Sequence, residues 1–186
     1  NSMTNNTSGQ QNVAVGQGTL AANTGGTANT ALGRSALSAN TTASNNTAVG
    51  QQALLSNTTG TNNIAVGVQA LEQNTTGGAN IAIGKQALDA NTTASNNTAI
   101  GAAALGANTT ATGGTAVGNQ SLEANTTGNY NTAVGMQSLE SNQTGTDNVA
   151  VGYYAMQANL ASNNTAVGRR ALAANTTGTQ NTAVGS

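Results

Sequence analysis

Apolar and polar positions recur along this chain with a period of seventeen residues, centred on the pentapeptide Asn46-Thr47-Ala48-Val49-Gly50. Its closing glycine returns at Gly16, Gly33, Gly50, Gly67, Gly84, Gly101, Gly118, Gly135, Gly152, Gly168 and Gly185. Every interval is seventeen residues except Gly152 to Gly168, which is sixteen. Ala stands two before the glycine in every copy, and Val, Ile or Leu one before it. A β-branched residue stands three before: Thr30, Thr47, Thr98 and Thr132 among others, with Val13, Ile64, Ile81 and Val149 in the remaining copies. Four before is Asn, except at Gly114. β-Branched residues favour an extended backbone, and a period of two puts them on one face with Ala and Asn on the other. A short strand is predicted in each copy.

After the glycine come two variable residues, a small one and then Leu, in the column Leu20, Leu37, Leu54, Leu71, Leu88, Leu105, Leu122, Leu139, Met156 and Leu172. Two further residues lead to a second Asn column containing Asn57, followed by a turn such as Thr58-Thr59-Gly60. The stretch between glycine and second Asn reads two ways. Lys85-Gln86-Ala87-Leu88-Asp89-Ala90 is made of good helix formers, which suits a turn or two of helix. A second short strand bent at the glycine is the other reading, and it is slightly preferred.

A fixed short period is the mark of stacked coils. The chain has no Asn-Gly or Asp-Gly pair to nucleate tight hairpins, so equivalent strands are expected to stack in parallel. The predicted fold is therefore all-β: a parallel β-solenoid with seventeen-residue coils, a single array of eleven strand-centred coils over residues 1–186. At ~4.8 Å per coil such an array is a rod about 50 Å long. A lone coil would not order itself. Burying one Leu or Val is worth roughly 1.5–3 kcal/mol, against about 1–2 kcal/mol for each backbone residue held in place. Ala48, Val49, Gly50, Leu54 and Asn57 stand for the structural columns, and stacked Asn side chains are expected to hydrogen-bond along the axis. The sixteen-residue coil around Leu160-Ala161-Ser162 is expected to show a local irregularity. Neither end carries a cap-like segment, and the chain reads as a mature product or as part of a longer array.

Composition narrows the function. Charged residues make up 5% of the chain and the formal net charge is −1, with no Cys, His, Pro, Phe or Trp. A near-neutral chain does not capture nucleic acid electrostatically. No apolar run is long enough to span a bilayer as a helix. Four of the five acids, Glu72, Asp89, Glu123 and Glu140, share the column after Leu. That arrangement is a solvated row and not a converging site. With no base–nucleophile pair the chain is not expected to be an enzyme, and no cofactor or metal is expected. Arg34, Lys85, Arg169 and Arg170 follow the glycine by one or two positions, as do Tyr153 and Tyr154. The two adjacent tyrosines with Arg169 and Arg170 form a candidate surface contact, able to stack on a sugar. Asn-x-Thr triplets at Asn40, Asn57 and Asn125 match glycosylation acceptors but arise from composition.

The Asn-Thr-Ala-Val-Gly pentapeptide resembles the head repeat of trimeric autotransporter adhesins. With Ala-Leu three residues on, it is more similar to the Asn-Thr-Ala-Val-Gly-x-x-Ala-Leu arrays of bacteriophage tail fibres and related bacterial surface proteins. The resemblance covers residues 6–186, with a period longer than that of adhesin heads. It implies a structural fibre or adhesin shaft, extracellular, on a cell surface or virion. Self-association as a homotrimer or head-to-tail filament is expected, and a cell-surface glycan is a candidate partner for the tyrosines.

The outward face has three readings. Ala inside leaves the Thr/Val/Ile and Val/Leu columns needing cover between chains; the reverse packing puts Val and Leu inside. A third option leaves the Thr column as a flat exposed array, as in ice-binding solenoids.

Overall fold

The computed structural model describes all 186 residues. Eleven three-residue strands form one parallel sheet in sequence order, β1 (Val13–Val15), β2 (Thr30–Leu32), β3 (Thr47–Val49), β4 (Ile64–Val66), β5 (Ile81–Ile83), β6 (Thr98–Ile100), β7 (Thr115–Val117), β8 (Thr132–Val134), β9 (Val149–Val151), β10 (Thr165–Val167) and β11 (Thr182–Val184). Like residues pair with like: Thr47 with Ile64, Ala48 with Ala65, Val49 with Val66. The sixteen-residue coil keeps this register, with Val149 opposite Thr165 and Val151 opposite Val167. The fold is the parallel solenoid that the period predicts.

Between glycine and second Asn there is neither helix nor strand. The segment is a pair of successive turns. In the coil of β2, the Ala36 amide donates to the Gly33 carbonyl at 3.2 Å, and the Asn40 amide to the Leu37 carbonyl at 3.2 Å. Ser35 and Leu37 have φ of 59° and 51°, in the left-handed region, and Asn45 completes the set at 62°. A left-handed non-glycine residue costs roughly 1–2 kcal/mol, so local preference could not have chosen this path. The neighbouring coils impose it. The Leu37 amide donates to the Ala53 carbonyl of the next coil at 3.1 Å, and the Ser35 amide to the Gln17 carbonyl of the previous one at 2.8 Å. Of 115 backbone hydrogen bonds only 20 lie within the strands, so the ladder runs around the whole coil.

The repeat glycines are required twice over. Gly33 has a φ of 128°, a conformation that L side chains rarely adopt, and a Cβ there would lie 2.6 Å from the Gly50 carbonyl oxygen. Only a bare Cα permits both the bend and the approach of the next coil.

Inside, each coil contributes three side chains, apolar in most copies, with Thr19, Ser121 and Ser138 in place of the middle Ala in three of them. Ala48, Ala53 and Leu54 are completely buried, as are their equivalents in the interior coils, and nine large side chains from Leu20 to Met156 form a continuous spine. Ala lies inside and Val or Thr outside. The reverse packing is excluded, because Ala48 and Ala65 have no exposure while Ile64 and Leu32 face solvent.

Two buried Asn columns flank this core. In the first, each Asn side chain reaches back to its predecessor: Asn74 Nδ2 donates to Asn57 Oδ1 at 2.9 Å, and also to the Gly77 carbonyl of its own coil at 2.9 Å. In the second, Asn46 Oδ1 accepts the backbone amide of Asn63 at 2.9 Å, while Asn46 Nδ2 donates to the Gly60 carbonyl at 2.9 Å. A buried amide is costly unless its donors and acceptors are met. Here nearly all are met, most of them by a neighbouring coil, so the same groups also lock the coils in register. The expectation of axial Asn bonding holds in both columns.

Candidate interaction surfaces

Three surfaces bring together the residues that carry chemistry, and the repeat positions each of them. The first is the outward face of the sheet. Side chains three and one before the repeat glycine project from it in two parallel rows. Leu32 is 46% exposed and Ile83 and Ile100 are 39% exposed, and the rows contain only Thr, Val, Ile and Leu. A stripe about 50 Å long without one charge or amide differs from the Asn- and Gln-rich remainder of the surface. Val49 belongs to this face and is half-buried. Ala48, Leu54 and Asn57 are interior.

The second surface is the corner just after the glycine. There Tyr153 and Tyr154 occupy the middle of a turn closed by the Ala155 amide on the Gly152 carbonyl at 3.1 Å. Adjacent strand residues would point apart. A turn with Tyr154 at a φ of 58° instead brings the two rings together, with centroids 4.0 Å apart at an interplanar angle of 63°. The next coil places Arg170 over Tyr154, its guanidinium 5.8 Å from the ring centroid. Arg169 and Arg170 are both exposed. The Tyr154 hydroxyl is raised above its ordinary pKa, first by side-chain hydrogen bonding to Tyr153, with the charge of Glu140 adding to the effect and that of Arg170 opposing it. Structure thus joins Tyr153, Tyr154 and Arg170, while Arg169 lies on the adjacent coil in the column of Tyr153 with its side chain outside these contacts.

The third surface is the acid column. Its carboxylates are separated by whole coils, and no three of them converge. Each glutamate is held by a Gln three residues earlier: Gln69 Nε2 donates to Glu72 at 2.9 Å, Gln120 to Glu123 at 2.8 Å and Gln137 to Glu140 at 2.8 Å. This Gln-x-x-Glu spacing is visible in the sequence and was missed there, because its meaning depends on the left-handed turn between the two residues. Asp89 has no such partner. Gly106 above it lacks a side chain, leaving a notch of about 330 Å³ lined by Gln86, Asp89, Ala103, Ala107, Glu123 and Ala124. Asp89 Oδ1 is buried without a hydrogen bond. Burial, reinforced by the charge of Glu72, pushes its carboxyl above the usual range.

Comparison with protein-family models, curated proteins and solved structures returns no match for this chain. No helix is long and apolar enough to cross a membrane.

Proposed function

We propose that the chain is a structural shaft, an extracellular rod that works through length and stiffness and associates laterally with copies of itself through its sheet face. The observation that carries this reading is the uncharged double row on β1–β11, which includes Leu32, Ile83, Ile100 and Val167 and has no cover within the chain. Contiguous apolar stripes of several hundred Å² are uncommon on monomers and mark association surfaces. The face measures about 50 Å by one three-residue strand, so pairing two copies buries on the order of 1,000 Å², at the lower limit for a specific interface. The mechanical side rests on the ladder, which leaves no part of a coil without bonds to its neighbours.

Sedimentation across a hundredfold concentration range, with electron microscopy of the same samples, tests the proposal. Dimers or trimers that dissociate on Ile83→Lys support it. A monomer at every concentration, unaffected by that change, removes the lateral association.

The same face supports a second reading. Seven of its eleven outer-row positions are Thr, aligned at one-strand pitch, which suits an ordered array of hydroxyls and methyls on ice. Thermal hysteresis lost on Thr98→Lys would replace the first reading with this one.

A further inference from the structure

We propose that the corner built by Tyr153, Tyr154, Arg169 and Arg170 binds an acidic polysaccharide, its rings lying on the tyrosines and its carboxylates on the arginines. The chain holds three Tyr and four cationic residues in all. Two of each meet here, on successive coils and the same two columns. Stacking in register places these side chains one coil apart, ~4.8 Å along the axis. A hexose ring is about as long as that step. A sugar strand running along the rod would therefore meet Met136, Tyr153 and Arg169 in turn, one unit per coil.

The chemistry of each position fits that occupant. Tyr153 is 38% exposed and Met136 43%, offering apolar surface to the C–H faces of the sugars. Arg170 is already stacked on Tyr154, so its guanidinium is held in place before any ligand arrives. Such preorganisation reduces the ordering cost of binding. A fixed guanidinium beside exposed Arg169 suits the planar, bidentate recognition of a carboxylate. Nearby, the Glu140 carboxylate is tied by the Gln137 and Gln157 amides at 2.8 and 2.7 Å. Single-stranded nucleic acid would use the same aromatic and cationic groups. Two arginines, however, neutralise at most about two phosphates, which supports only weak and strongly salt-dependent binding.

This inference does not rest on the shaft reading, since a rod without lateral association would carry the same corner. Affinity electrophoresis of the full chain through gels containing polygalacturonate tests it, with dextran gels and an oligo-dT titration alongside. The expected result is retardation by polygalacturonate alone, weakened about tenfold or more by Tyr154→Ala, by Arg170→Gln and by Arg169→Gln, and unchanged by Arg34→Gln. Arg169 is exposed and outside the ring contact, so its variant keeps the test open should the other two perturb folding, which circular dichroism reports. No retardation, equal retardation by dextran, tighter binding to oligo-dT, or indifference to all three variants overturns the proposal.

Discussion

Asn159 does not reach Asn142. Every other consecutive pair in that buried column is joined, from Asn23 on Asn6 at 2.8 Å to Asn175 on Asn159 at 2.6 Å. Here the Asn159 side-chain amide donates to the Ala161 carbonyl, two residues away, at 2.8 Å. Elsewhere the equivalent carbonyl is three residues away, as from Asn142 to Gly145. The sixteen-residue coil has lost the residue between Leu160 and Ala161, and in the shortened turn the amide bonds this nearer carbonyl and not its predecessor. Asn142 Oδ1 is left buried without a partner.

Restoring the residue should close the ladder. Insertion of Thr between Leu160 and Ala161 is expected to stabilise the chain by about 1–3 kcal/mol, the usual penalty of a buried unsatisfied acceptor. Urea unfolding measures it, and an unchanged or lower midpoint would show that the short coil is not the weak seam.

The second Asn column has its own gap, at Gly114. Gly114 accepts a place in the ladder through its amide, bonded to Asn97 Oδ1 at 2.8 Å, but offers no side-chain oxygen to the amide of Asn131. Gly114→Asn should supply it. A Cβ there meets Asn97 Oδ1 at 3.2 Å and Leu105 Cδ1 at 3.3 Å, tight contacts with side chains and not with backbone. A gain of about 1 kcal/mol per hydrogen bond is expected, aided by the lower entropy of the unfolded chain. A loss in thermal stability would mean that the Cβ contacts outweigh the new bonds.

The repeat glycine should tolerate nothing larger. Gly33→Ala forces a side chain into the approach of Gly50 and into a nearly Gly-only region of backbone, costing at least about 1–3 kcal/mol from conformation alone. Calorimetry of this variant against Ala39→Gly, on a surface turn, separates the steric requirement from any general sensitivity to substitution. A similar melting temperature for Gly33→Ala and the parent would contradict the account.

Asp89 predicts a pH effect of defined sign. Its folded pKa lies above the unfolded value because burial and Glu72 disfavour the anion. The charged form thus opposes folding at neutral pH, and the opposition fades as pH falls through the raised folded pKa. Asp89→Asn should therefore raise the melting temperature at pH 7, by less than about 1 kcal/mol in stability since the group is partly solvated and screened. The advantage should vanish at a pH below about 3.9, where the carboxyl is neutral in both states. An advantage that grows on acidification would reverse the assignment.

Much of this architecture was already present in the order of residues. The period, the place of each strand, the parallel stacking, the buried Leu column and the bonded Asn columns are all recurrences along one dimension, and a stack turns sequence period into spatial neighbourhood. The site of the lost residue was visible for the same reason. What the residues alone could not decide is the path from glycine to second Asn. Leu37 and Ser35 would not choose left-handed backbone on local grounds, and they hold it only because the coils on either side bond to them there. Everything that depends on that path stayed hidden with it: the Gln-x-x-Glu pairs, the orphaned carboxylate of Asp89, and the meeting of Tyr153 with Tyr154 at a corner instead of on opposite faces of a strand. The sequence determined which coils would be neighbours; tertiary bonding decided the shape each coil takes between its strands, because only there do neighbours outweigh local preference.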